Sequence, residues 1–104
     1  MNKNVEHPTH YNQPGRKECI VEMEEKYGAE ATAIFCLANS YKYLYRAGEK
    51  LDNPIKQDID KSKWYFEYVN KLIGKYGILF LGDLRIEDTE LYVDIEKMLE
   101  RAKE

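Results

Sequence analysis

Apolar residues recur every three or four positions along most of this chain, which is the period of amphipathic helices. Cys19, Ile20, Met23 and Tyr27 share one face and predict a first helix from about Arg16 to Tyr27, with Glu18, Glu22 and Glu25 towards its other sides and Gly28 as a stop. Ile34, Leu37, Ala38, Tyr41, Leu44 and Tyr45 predict a second helix from about Ala29 to Ala47, ended by Gly48. It is apolar around much of its circumference, which predicts a central position. Glu49 to Asn53 reads as a loop whose last residue caps a third helix, with Pro54 at the first helical position. Ile55, Ile59, Ser62, Phe66, Val69 and Ile73 alternate spacings of four and three, a heptad-like packing stripe, and Gly74 and Gly77 loosen its end. Ile78 to Leu81, followed by Gly82-Asp83, reads as a packed connector, because a strand of four residues has no evident partner. Asp88 or Thr89 opens a last helix with Leu91, Ile95, Met98, Leu99 and Ala102 on one side. The start of the chain, with His7, Pro8, His10, Pro14 and Gly15, reads as an irregular arm: Pro8 holds His7 extended, and Pro14-Gly15 signals a turn. The expected fold is all-α, a small bundle of about four helices with an irregular N-terminal arm. It forms one domain over residues 1–104: the arm at 1–16, a helical core at 17–76, and a connector and C-terminal helix at 77–104.

Composition narrows the partners. A chain of 104 residues, 43% hydrophobic and 34% charged, builds one modest core, and self-association is an economical way to bury more surface; a homo-oligomer is expected. A net charge of -3 lacks the basic excess of a duplex nucleic-acid or membrane-surface binder. No apolar run approaches the roughly 18 residues of a membrane span, and the polar opening holds no apolar signal region, so a cytoplasmic location is expected. Cys19 and Cys36 lie in apolar helical patterns without metal-site spacing and read as small buried hydrophobes. Nine tyrosines are many for this length; their apolar bodies and polar tips suit stacking, interfaces, or the border of a thin core.

The most informative chemistry lies at the end of the second helix. Asn39, Lys42, Tyr43 and Arg46 fall at i, i+3, i+4 and i+7 and form a polar stripe on an otherwise apolar helix. Lys42 and Arg46 repel each other across one turn by roughly 0.2–0.5 kcal/mol, so something acidic is expected to compensate. Asp58 on the next helix is one candidate, in an interhelical salt-bridge network; a phosphate is the other. Tyr43 between the two cations suits base stacking. Trp64, between Lys63 and Tyr65, reads either as a stacking platform or as an interface anchor. His7 and His10 suit hydrogen bonding to phosphate, general acid chemistry, or capping of the arm. Without nearby ligands they make a weak metal pair, and no metal site is assigned. Glu18, Glu22 and Glu25 with Asp58 or Asp60 form a possible magnesium cluster, although glutamate-rich helix faces are usually only solvated. No GxxxxGK[ST] phosphate loop occurs, nor GxGxxG, HExxH or GxSxG.

Three blocks carry a resemblance to a known family: His7-Pro8-Thr9-His10-Tyr11 with Glu18-Cys19-Ile20, the run from Asn39 to Lys50, and Asp58 with Lys61-Ser62-Lys63-Trp64-Tyr65. The pattern resembles a family of small phage proteins of unknown function, commonly described as nucleotide kinases. Its named member is a coliphage deoxynucleoside-monophosphate kinase without a P-loop. The likeness spans about residues 7 to 72 and departs from the family pattern at Ala38, where glycine is usual, and at Asp60, where lysine is usual. The resemblance implies a phage origin, hence the cytoplasm of an infected bacterial host, and a nucleotide ligand. Carried over by position, His10 and Asp58 are the catalytic candidates. His7, Tyr11, Asn39, Lys42, Tyr43, Arg46, Lys63 and Trp64 are the nucleotide-binding candidates.

Two activities follow as expectations. One is phosphoryl transfer from ATP to a deoxynucleoside monophosphate, with Mg2+ as a possible cofactor, Lys42 and Arg46 neutralising the phosphates, a histidine moving the proton, and Asp58 orienting the basic pair. The other is sequestration of cyclic or other nucleotide signals of bacterial immunity without turnover, which needs only a preorganised basic and aromatic pocket. A structural or protein-binding helical module is a third reading, and it leaves the Lys42/Arg46 pair unexplained.

Overall fold

The structure is a computed structural model that describes residues 18–47 and 55–102. Four α-helices account for most of the described residues: α1 (Cys19–Tyr27), α2 (Ala29–Arg46), α3 (Ile55–Tyr76) and α4 (Glu90–Ala102). Between α3 and α4 lie β1 (Phe80–Leu81), β2 (Leu84–Arg85) and a 3-10 turn at Ile86–Asp88. The all-α class is as expected. The arm with its extended His7-Pro8 and its Pro14-Gly15 turn, Gly48, and the loop with the Asn53 cap and Pro54 lie outside the described residues.

Gly28 makes the joint between α1 and α2. Its φ of 94° suits a residue without Cβ. Its N–H donates to the Glu24 carbonyl (3.0 Å), closing α1, while its own carbonyl accepts the Thr32 N–H (3.2 Å) and the Thr32 hydroxyl (2.9 Å), opening α2. Glu18 is still extended (φ -59°, ψ 145°), so α1 begins at Cys19, later than the expected start near Arg16.

The core is set by small residues. Ala33, Cys36, Leu37 and Ser40 are fully buried on α2, against Ser62, Val69 and Leu72 of α3. Small side chains at a helix contact let the axes approach, because interaxial distance follows side-chain size. Across this contact Ser40 Oγ donates to the Ser62 carbonyl (2.9 Å) and lies 2.8 Å from Ser62 Oγ. Ile20, Leu79, Ile86, Tyr92, Ile95 and Leu99 complete the core from α1, the connector and α4.

The buried face of α2 keeps Leu37 but is otherwise rotated from the one its large apolar residues predicted. Ala38 is exposed, and Tyr41 and Tyr45 are 41% and 65% exposed, while Thr32, Ala33, Cys36 and Ser40 pack inward. Close approach to α3 selected the small residues over the hydrophobic ones. On α3, Ser62 and Val69 are buried as the stripe expected, joined by Asp58 and Leu72, while Ile55 is exposed. That helix runs through Gly74 to Tyr76 before Gly77 ends it with an N–H bond to the Ile73 carbonyl (2.8 Å). Of the two cysteines expected inside, Cys36 is buried and Cys19 is exposed, and both are free thiols. The connector holds a strand after all: β1 pairs antiparallel with β2, Phe80 opposite Arg85 and Leu81 opposite Leu84, around a turn with Gly82 at φ 63°. The partner strand lay four residues on, too short to show an alternating pattern. Thr89 caps α4, its hydroxyl accepting the Tyr92 N–H (3.3 Å).

Glu24 occupies the buried position on α1 that the apolar pattern assigned to Tyr27, which is instead 72% exposed. The carboxylate is a joint between α1 and the end of α3: it accepts from Lys75 Nζ (2.7 Å), from the Tyr76 hydroxyl, and from the Tyr68 hydroxyl (3.4 Å). The Lys75 and Tyr76 hydrogen bonds hold its pKa below the ordinary carboxylate value, against the opposing effect of burial. Burial, with Glu24 nearby, pushes the Tyr68 phenol up to about 12.

Two outcomes are expected. Ser40→Val leaves the Ser62 hydroxyl without this partner and adds volume where the helices touch; it should cost about 1–3 kcal/mol in urea unfolding followed by circular dichroism. Because the folded pKa of Glu24 is depressed, its contribution is complete above the unfolded value of about 4.3 and is lost as pH falls through the lower folded value. Glu24→Gln should flatten that part of the acid limb of a stability-versus-pH profile; an unchanged acid limb would remove Glu24 as a joint.

Candidate functional site

The approach of α2 to α3 at Ser40 and Ser62 fixes what meets one turn further on. Tyr43 stands one turn past Ser40, and its ring stacks on Tyr65 of α3 (centroids 6.0 Å apart, planes 11° apart). Around the Tyr43 ring stand three cations: Lys42 Nζ at 4.6 Å, Lys61 Nζ at 5.4 Å and Arg46 Cζ at 5.9 Å from the centroid. Lys42 and Arg46 come from α2, and Lys61 comes across from α3, one turn before Tyr65. The negative ring face attracts cations, by about 0.5–1 kcal/mol each at exposed sites, which offsets part of the repulsion between them. Among the described residues the ion pairs are Lys56–Asp60 (2.7 Å) and Lys75–Glu24 (2.7 Å), so no described carboxylate pairs with these three cations. The expected salt bridge from Asp58 to Lys42 or Arg46 does not form.

An aromatic ladder continues the site along α3. Trp64 meets Tyr65 edge-on (5.1 Å) and stacks on Tyr68 (5.6 Å, 26°), and Phe35 of α2 meets Tyr65 edge-on (6.2 Å). Trp64 is half-buried in this ladder, consistent with an anchoring role. Lys71 Nζ lies 5.6 Å from the Tyr68 ring, at the far end.

The other sequence candidates are distributed as follows. Asn39 is half-buried on α2, one turn before Tyr43. Asp58 is buried on α3, one turn before Lys61. Lys63 points elsewhere: it lines an open groove of about 690 Å³ between α3 and α4, with Ile59, Phe66 and Leu99. Lys61 takes the position facing the α2 cations instead. Helical geometry carried the signal: Lys61 is four residues before Tyr65 and shares its face, whereas Lys63 is about 200° away from Lys61 at 3.6 residues per turn. His7, His10 and Tyr11 lie outside the described residues. No group of three or more His, Cys, Asp or Glu able to hold a metal occurs among the described residues, and the Glu18, Glu22 and Glu25 side chains do not assemble one with Asp58 or Asp60. No described helix is long and apolar enough to cross a membrane.

Fold and site together define a small all-α protein whose two central helices gather three cations around a stacked tyrosine, with no described carboxylate paired to them. Residues 5–67 match the model of a family described as a protein of unknown function, DUF3310, and the chain belongs to that family. No curated protein and no solved structure matches it. The matched span contains every residue of the cation cluster and ends before the hairpin and α4.

If Tyr43 moderates the repulsion within the cluster, Tyr43→Leu should destabilise the protein by about 1–2 kcal/mol at low salt, with the deficit shrinking as ionic strength is raised towards about 1 M. Denaturant midpoints at several salt concentrations measure this; a deficit independent of salt would leave only lost packing.

Proposed function

We propose that the protein binds a phosphorylated nucleotide at the Lys42/Tyr43/Arg46/Lys61 cluster. The observation that carries this reading is the convergence of three cations from two helices on one ring, with no described carboxylate paired to them. Such a cluster is costly unless an anion completes it. Arg46 is suited to bidentate contact with phosphate oxygens, and the lysines to point-charge contact. The aromatic ladder from Tyr43 to Trp64 supplies flat faces and edges for a base beside the phosphates. The resemblance to phage nucleotide kinases supports the same ligand class. Under the kinase reading, ATP is the second substrate and His10 and Asp58 are the residues to test. Under the sequestering reading, binding alone is the function, and the cluster as described needs nothing more for it.

Calorimetric titration separates these. The panel is deoxynucleoside monophosphates, ATP, and cyclic di- and trinucleotides, with each mixture then assayed for new products. Lys42→Ala, Arg46→Ala and Lys61→Ala should each weaken binding by tenfold or more, since hydrogen bonds to charged groups contribute about 1.5–3 kcal/mol. The helical signal should be unchanged. New diphosphate in the presence of ATP would establish transfer; tight binding without product would establish sequestration. No binding across the panel, or binding indifferent to all three substitutions, would refute the assignment.

A further inference from the structure

We infer that the outer face of α2 is the contact surface for a second copy of this chain, laid antiparallel along it. Ala31, Phe35, Ala38, Lys42 and Tyr45 stand at intervals of four and three along α2, and all five are exposed, Phe35 meeting Tyr65 of α3 with one edge and Lys42 lying over the Tyr43 ring. Phe35 is 40% and Tyr45 is 65% exposed. Spacing of this kind is the seam of a two-helix pair, in which knobs of one helix enter holes of the other.

The order of residues selects the partner and its direction. About a two-fold axis near Ala38, an antiparallel copy sets Ala31 against the partner's Tyr45, Phe35 against the partner's Lys42, and Ala38 against the partner's Ala38. Each large ring then meets a small residue or an aliphatic stem, and the Lys42 ammonium stays over its own Tyr43 ring. The two Lys42 side chains fall about eight residues apart along the pair, roughly 12 Å, where salt largely screens them. A parallel copy would instead oppose Lys42 to Lys42 and Tyr45 to Tyr45.

The hairpin widens the same surface. The Phe80 N–H donates to Glu30 Oε2 (2.6 Å), which seats β1 on the first turn of α2. Ile78, Phe80, Leu81 and Leu84 are all exposed there. In the antiparallel pair this end of α2 meets the end of the partner's α2 that carries Tyr41 and Tyr45. With Phe35, these make seven large apolar residues, each leaving on the order of 100 Å² uncovered. Together that is roughly 700 Å² per copy, close to the ~800 Å² per partner of a standard interface and larger than the patches most monomers expose.

The test uses the full chain without ligand, so it is independent of the nucleotide reading. Sedimentation should show a dimer at tens of micromolar, and Ala38→Glu should shift it to monomer with its helical signal retained. In a Cys19→Ser background, Ala38→Cys should give a disulfide-linked dimer on mild oxidation, whereas Glu67→Cys, exposed on α3, should not. A monomeric wild type, or a dimer that survives Ala38→Glu and fails to cross-link at position 38, overturns the proposal. A monomer that still binds nucleotide sinks this inference alone, and a dimer that binds none sinks only the nucleotide assignment.

Discussion

The contact between Ser40 and Ser62 governs the geometry of this protein. Two hydroxyls and a carbonyl meet within 3 Å in a site that excludes solvent, and only small neighbours such as Ala33 and Cys36 allow the backbones to come so near. A hydrogen bond of this kind adds only about 1 kcal/mol net, but a buried hydroxyl left alone costs about 1–3 kcal/mol. The pairing therefore acts chiefly as a register device. It penalises rotation or sliding of α2 against α3, and with that register fixed the next turn of each helix has one neighbour only.

That neighbour relation is the site. Tyr43 meets Tyr65, Lys61 joins Lys42 and Arg46, and Trp64 and Tyr68 extend the aromatic run away from them. The tyrosine face holds the cations together, with no described carboxylate paired to them, and the proposed phosphate ligand rests on that arrangement. The Glu24 joint serves the other end of α3, where Lys75, Tyr68 and Tyr76 converge on one carboxylate. Tyr68 belongs to both arrangements, so the fixed end of α3 is continuous with the ladder that leads to the cluster.

The helices and their order were legible in the sequence because the apolar period is strong. The faces were less so. Weighting positions by hydrophobicity placed Tyr41, Tyr45 and Ile55 inside, whereas the helices pack through alanine, cysteine and serine, whose small size matters more than their polarity. Tyr27 was chosen over Glu24 for the same reason: a buried glutamate becomes favourable only when its three donors arrive from a segment some fifty residues on. Of the site, the stripe of Asn39, Lys42, Tyr43 and Arg46 could be read from one helix. Lys61 could be grouped with Tyr65 by helical spacing, but its meeting with α2 could not be read, since that depends on which face of α3 turns towards α2, and Ser40 and Ser62 decide it.

The phosphate assignment can be examined without presuming which nucleotide binds. Amide and ring chemical shifts, followed by nuclear magnetic resonance while nucleotides are added to the labelled full chain, show where the ligand sits. A ligand at the cluster should shift residues 39–46 and 61–65, the Tyr43 ring and the Trp64 indole, and leave Ile59, Phe66 and Leu99 in the groove between α3 and α4 unmoved. Shifts concentrated in that groove, or none at saturating nucleotide, would contradict a phosphate site built on Tyr43.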